Sequence, residues 1–196
     1  KKMQAFIAIN GRDNSYELAD VPPENMKKYM EKYAKPVHFE QRVKHTNWCI
    51  LAFPNPSYAQ ASSMSSEAFE DFYFNVCTLD YAKMDKAMDP LKKLMDKTDK
   101  VHIKGPGRTD LKFSIKGLQG VKCAGKYNIP DGEVFTAPVK DSVNGVIEYN
   151  TPTVYHGIKF DKVILTFKKG KIVKIEGSNV EKLEHIFNTD EGARYV

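Results

Sequence analysis

The hydrophobic pattern of the chain changes once, near residue 100. Before that point apolar residues come in continuous runs or at helical spacing. Residues 5–9 (AFIAI) and 48–53 (WCILAF) are continuous apolar runs. Such runs predict strands covered on both faces in an α/β layer. Asn10-Gly11 and Pro54-Asn55-Pro56 end them with turn chemistry. Between the two, Val21-Pro22-Pro23-Glu24 opens a helix, with proline fixing φ at its start. Met26, Tyr29, Met30 and Tyr33 then recur on one helical face and predict a core-facing stripe. Pro36 is expected to end or bend this helix. The order strand, helix, strand predicts a βαβ unit. Two further helices follow, one with Phe69, Phe72, Tyr73 and Val76 on a face, the next with Met84, Met88, Leu91 and Met95. Asp80 is a suitable N-cap for the second, and Asp89-Pro90 predicts a kink or restart within it.

After residue 100 the period becomes two. Leu111, Phe113 and Ile115 alternate with Lys112, Ser114 and Lys116, which predicts a half-exposed strand. Residues 146–149 read as another strand. Residues 163–167 and 172–175, joined at Lys169-Gly170, read as a hairpin, and residues 179–187 as a short helix with Leu183, Ile186 and Phe187 on its apolar side. The expected fold class is therefore α/β: part of an α/β layered domain at residues 1–99, followed by the start of a β-rich domain at residues 100–196.

Composition narrows the function classes. With 196 residues, 41% of them apolar and 11% aromatic, the chain is globular and long enough for one sizeable core or two small ones. No apolar run approaches the roughly 20 residues that cross a bilayer, and the chain opens without a signal-peptide pattern. Membrane partners are not expected. Cys49, Cys77 and Cys123 are odd in number, widely spaced and set among apolar residues. They read as reduced thiols of a cytoplasmic protein. The net charge of +5 comes from residues 100–196, with 16 basic and 11 acidic groups, while residues 1–99 balance at 14 each. The excess is lysine scattered along strands, which keeps edges soluble. Only two arginines, Arg108 and Arg194, lie in that half, so there is no clustered patch for nucleic acid.

One acid stands out. Residues 125–138 read GKYNIPDGEVFTAP. Turn formers fill Asn128-Ile129-Pro130-Asp131-Gly132, and Glu133 follows at the start of a short apolar strand. Alternation puts Glu133, Phe135 and Ala137 on one face and Val134 and Thr136 on the other. If the first face points inward, the carboxylate needs a metal ion or an arginine to neutralise it. The alternative is a solvated acid at the strand mouth. Other polar groups carry weaker signals. The serines at 57, 62, 63, 65 and 66 lack a base and a nucleophile elbow. His38 and His45 lie seven apart and read as a polar helix face. His102 has no acid or cysteine in register, Asp110 reads as a strand-start residue, His156 sits in a loop, and His185 lies on the terminal helix. Asp190, Glu191 and Arg194 read as a local ion pair.

The GEVFTAP block, the following DSVNGVIEYNTPTVYHG and the terminal Asn188-Thr189-Asp190-Glu191-Gly192-Ala193-Arg194 together resemble the M29 aminopeptidases. Upstream, residues 17–24, 56–60 and 107–111 match in the same order, so the resemblance spans the chain. It implies a cytoplasmic, homodimeric metallo-exopeptidase that removes N-terminal residues from peptide substrates. Two divalent metal ions, zinc, cobalt or manganese, would lower the pKa of a bound water and polarise the scissile carbonyl. Glu133 matches the first metal ligand. The family's next ligands, a Glu after the GAR segment and later His and Asp residues, have no counterparts before Val196, and neither Tyr195, Glu191 nor any of the five histidines matches them. The expectation is an internal fragment whose parent is the enzyme and which is inactive alone. The rival reading is a non-catalytic binding or assembly module on the same scaffold.

Overall fold

The computed structural model describes residues 3–11, 13–14, 16–155 and 158–196. It is a mixed α/β chain that forms two compact units. One comprises Lys1–Ala87 with Lys122–Glu133, the other Met88–Val121 with Val134–Val196. The chain thus passes between units at residues 87/88, 121/122 and 133/134. The single division expected at residue 99/100 tracks the change in hydrophobic period instead. The first crossing falls where the predicted Asp89-Pro90 interruption separates helix α4 (Tyr81–Ala87) from α5 (Asp89–Lys97), which restarts with proline in its first turn.

The first unit is built on a parallel sheet of order β1-β2-β6, from Ala5–Asn10, Asn47–Ala52 and Asn128–Ile129. Residues Ala5 to Asn10 pair in register with Asn47 to Ala52, and the helical connection between them completes the expected βαβ unit. That connection begins as α1 (Pro23–Tyr29) and continues as a wide π-type helix, Met30–Val43. Pro36 lies inside the wide helix and neither ends nor restarts it. The looser i→i+5 winding moves the carbonyl that a proline ring would otherwise strike. The Met/Tyr stripe is not core in this chain: Tyr29 is 52% exposed and Met30 46%. The continuous apolar runs also overstate coverage. Phe6, Trp48 and Ile50 line a cavity with His38, Phe39 and Arg42 of the wide helix, whereas Ile7 and Ile9, on the opposite face of β1, are 68% and 66% exposed. A strand apolar on both faces is here covered on one.

Helices α2 (Pro56–Ala61) and α3 (Ser66–Cys77) complete this unit's buried centre of Ala59, Phe69 and Tyr73. Asn55 caps α2 by accepting from the Tyr58 N–H at 3.1 Å, and Asp80 caps α4 through the Lys83 N–H at 2.9 Å. Phe72, expected on the same inward face of α3, is 55% exposed.

The second unit holds the larger core. Its five-stranded sheet has the order β12-β11-β8-β4-β3, from Lys171–Gly177, Val163–Lys168, Asn144–Tyr149, Asp110–Ser114 and Lys100–Lys104. All its pairings are antiparallel. Leu111, Val143, Phe160, Leu165, Phe167, Ile172 and Ile175 are buried on its inner face with Leu183 of α6 (Val180–Phe187). The period-two reading holds for β4, where Leu111 is buried and Lys112 exposed, whereas in β11 Ile164 and Leu165, on opposite faces, are both buried. Lys169 and Gly170, at φ of 49° and 74°, form the expected hairpin turn. The strands Val121–Cys123 (β5) and Glu133–Phe135 (β7) form a separate two-stranded ribbon, and Thr153–Tyr155 (β9) pairs with Ile158–Phe160 (β10).

Candidate functional site

The segment that carries Glu133 is anchored before it reaches that residue. Lys122 pairs with Asp85 at 2.9 Å. The Tyr127 ring lies 4.6 Å from that of Trp48, and the Tyr127 carbonyl accepts the Ile50 N–H at 2.7 Å. Asn128 and Ile129 then pair with Ile50 and Leu51, adding β6 to the parallel sheet. After a cis Ile129–Pro130 bond, Asp131 and Gly132 make the turn into β7. The Asp131 carboxylate accepts two backbone N–H groups, Gly125 at 2.7 Å and Gly132 at 3.0 Å. Gly125 has φ of +82°, and a Cβ there would come within 2.9 Å of the Tyr81 ring, so that position requires glycine. Tyr81 donates its hydroxyl proton to the Val76 carbonyl at 3.1 Å. Burial raises its pKa, and a hydrogen bond from the Asp131 backbone works against that rise.

Glu133 itself is exposed, and Phe135, on the same face of β7, is 48% exposed. The solvated placement is therefore the one this chain adopts, and the carboxylate remains available to an incoming ligand. The ribbon pairing brings Cys123 to it. Burial lifts the Cys123 thiol above its ordinary pKa, and the charges of Asp131 and Glu133 and a hydrogen bond with Glu133 lift it further. Among the described residues no group of three or more His, Cys, Asp or Glu side chains is placed to hold a metal ion. The residues present fit one carboxylate ligand and do not fit a two-metal centre by themselves.

The remaining candidates are dispersed. His102 does find an acid: its Nε2 lies 2.8 Å from Asp110. His102 faces Lys112 and Asp110 faces Lys104 across the β3–β4 pair, so the contact is a diagonal one that the reading in register overlooked. Asp110 begins β4 as expected, and its pKa is lowered by the His102 hydrogen bond. His38 lines the cavity under the wide helix, while His45 and His185 are exposed. His156 lies outside the described residues. The expected ion pair near the terminus is replaced by a different one. Arg194 binds Glu184 of α6 and donates to Asn188 at 2.8 Å, and Asp190 instead accepts the Gly192 and Ala193 N–H groups at 2.8 Å each. Asp131 and Cys123 are the two contributors that sequence reasoning passed over. Asp131 had a signal, an Asp-Gly turn pair directly after Pro130; Cys123 had none short of the strand pairing.

Comparison with known proteins gives a consistent result. The family model described as thermophilic metalloprotease (M29) matches residues 1–196. Aminopeptidase T of Thermus thermophilus is 29% identical over 97% of this chain and 53% of its own length. Aminopeptidase 2 of Geobacillus stearothermophilus is 46% identical over 34% of this chain and 16% of its own length. The chain thus spans about half, or less, of the curated relatives it matches. A solved structure of wild-type AmpT from Thermus thermophilus superposes with a TM-score of 0.80 at 25% identity, over 97% of this chain and 53% of that one. A 2,5-dihydroxypyridine dioxygenase from Pseudomonas putida shares the fold alone, with a TM-score of 0.56 at 12% identity over 98% of this chain and 69% of that one.

Proposed function

The chain belongs to the M29 family of thermophilic metalloproteases, and from that premise we propose that it is part of a metal-dependent aminopeptidase that removes N-terminal residues from peptides. One observation supports this most: the acid singled out by the family resemblance, Glu133, opens β7 with its carboxylate exposed, directly after a turn docked on the parallel sheet. In this reading Glu133 supplies one ligand to a pair of divalent ions. Zinc, cobalt and manganese all suit carboxylate and imidazole donors. The other ligands are supplied by the full-length protein, which acts on peptides as a cytoplasmic homodimer. A dinuclear site needs several ligands in fixed geometry, so the 196-residue chain alone is inactive.

The test compares full-length wild type with Glu133→Ala, reading bound metal and cleavage of an aminoacyl reporter. The expected result is loss of both in the variant. Activity that survived the substitution would overturn the ligand assignment. A full-length wild type with no chelator-sensitive cleavage would favour the non-catalytic module. Chelator-sensitive cleavage by the 196 residues alone would overturn the proposal that they are inactive.

A further inference from the structure

Between the wide helix Met30–Val43 and the parallel sheet of the first unit lies a cavity of about 240 Å³. Phe6, Phe39, Val43, Trp48 and Ile50 give it apolar walls. The Trp48 ring is braced by that of Tyr127, at 4.6 Å between centroids. An apolar cavity of roughly 150 Å³ already stays dry and binds benzene, so this one has room for a single aromatic ring with a short substituent. The helix above it has the loose π winding, which is rare and recurs at functional sites. Arg42 and His38 also line the cavity, and Arg42 decides what the ring must carry. Its guanidinium lies over Phe6, 4.6 Å from the ring centroid, and donates to the Tyr33 hydroxyl at 3.2 Å. That bond uses one of five N–H donors. Among the described residues no carboxylate pairs with it. A half-buried guanidinium without an anion is a charge left unmatched, and its planar edge fits a carboxylate through two parallel hydrogen bonds.

We infer that this cavity is a binding site for a small aromatic carboxylate, with the ring among Phe6, Phe39 and Trp48 and the carboxylate on Arg42. Both features of the ligand are needed. A purely apolar occupant would leave Arg42 unmatched, and an inorganic anion would leave the aromatic walls unfilled. The lining residues all belong to the first unit. The inference uses neither Glu133 nor a metal ion, so it does not rest on the aminopeptidase reading.

The experiment titrates full-length protein by calorimetry with phenylacetate, and with phenylacetamide as its uncharged counterpart. Tryptophan fluorescence localises the ligand, since Trp48 is the one tryptophan of these 196 residues. Circular dichroism checks the fold of each variant. Phenylacetate is expected to bind with a dissociation constant below about 1 mM, a modest demand for about ten non-hydrogen atoms. It should change the fluorescence of wild type and not that of Trp48→Phe. Hydrogen bonds to a charged group account for about 10- to 100-fold in affinity. Phenylacetamide on wild type, and phenylacetate on Arg42→Gln, should each bind more weakly by that factor. Val43→Phe fills the cavity and should abolish binding. Failure of phenylacetate to bind wild type overturns the inference. So does equal affinity for acid and amide, a fluorescence change that persists undiminished in Trp48→Phe, or binding undiminished in both Arg42→Gln and Val43→Phe. Should Arg42→Gln not fold, Val43→Phe and the comparison of acid with amide on wild type decide.

Discussion

Replacing Tyr73 by phenylalanine tests how the first unit holds its sheet. In β2 the N–H and C=O of Ile50 and Ala52 point to the side where β6 lies, since the Ile50 N–H binds the Tyr127 carbonyl while the Phe53 N–H binds Asn10 of β1. Among the described residues β6 pairs with Ile50 and Leu51 alone, and no described strand lies opposite Ala52 on that side. The Tyr73 phenol takes that place, accepting the Ala52 N–H at 3.1 Å and donating to the Ala52 carbonyl at 2.5 Å. Each such bond is worth about 0.5–1.5 kcal/mol net, so Tyr73→Phe should cost about 1–3 kcal/mol at pH 8. Burial, reinforced by the Cys77 thiol, pushes the Tyr73 pKa from 10.0 up to about 12. A raised pKa means that the folded state keeps the proton after the unfolded state has released it. The stabilisation is fully present below pH 10 and is lost as pH rises through the window from 10 to about 12. A rise of that size corresponds to on the order of 3 kcal/mol at most, before screening by solvent is discounted. Urea unfolding followed by circular dichroism from pH 8 to 12, on both proteins, measures this. The wild-type advantage should be greatest at pH 8 and should fall above pH 10. Equal stability at pH 8, or parallel alkaline limbs for the two proteins, would refute the reasoning.

The second unit should respond to cavities and acid in ways that do not involve the site. Leu165 is 5% exposed in the core of the five-stranded sheet, and Leu165→Ala should destabilise by about 2–5 kcal/mol, read as a fall in the urea midpoint at unchanged slope. Glu148 is held below its ordinary pKa by hydrogen bonds from Lys162 and from the Arg108 backbone, and Glu176 by Arg108 and Lys174. Their contribution is present above about pH 4.5 and is lost as pH falls through the lowered folded values. The stability difference between wild type and Glu148→Gln should therefore shrink as pH is lowered from 6 to 3. A difference that stayed constant across that range would count against the ion-pair assignment.

What could be read from the chain depended on whether the controlling contact was local. The Lys169-Gly170 hairpin, the Asp80 cap and the Asp89-Pro90 restart are set within a few residues, and the structure has all three. The alternation of residues 111–115 was legible because a sheet with one packed face imposes it. The exposure of Ile7 and Ile9 was not, because an apolar strand records which positions tolerate burial and not what covers them. The His102–Asp110 contact was missed for a related reason: the diagonal neighbour is fixed by strand register, which no local signal specifies. At the site, turn chemistry located Glu133 correctly after a loop. It also disguised Asn128-Ile129, which look like turn formers and yet form β6.

That short strand links the sheet to the site. Ala52, which Tyr73 holds, adjoins Leu51, which pairs with Ile129, and Ile129 stands two residues before Asp131. The same turn is backed from the other side by Tyr81 and Met84 of α4. The Glu133 carboxylate thus follows packed secondary structure of the first unit. A ligand held within a fraction of an ångström needs rigid elements behind it, and a three-residue ribbon strand cannot supply that rigidity alone. The upstream sheet and helix supply it for the turn that precedes Glu133.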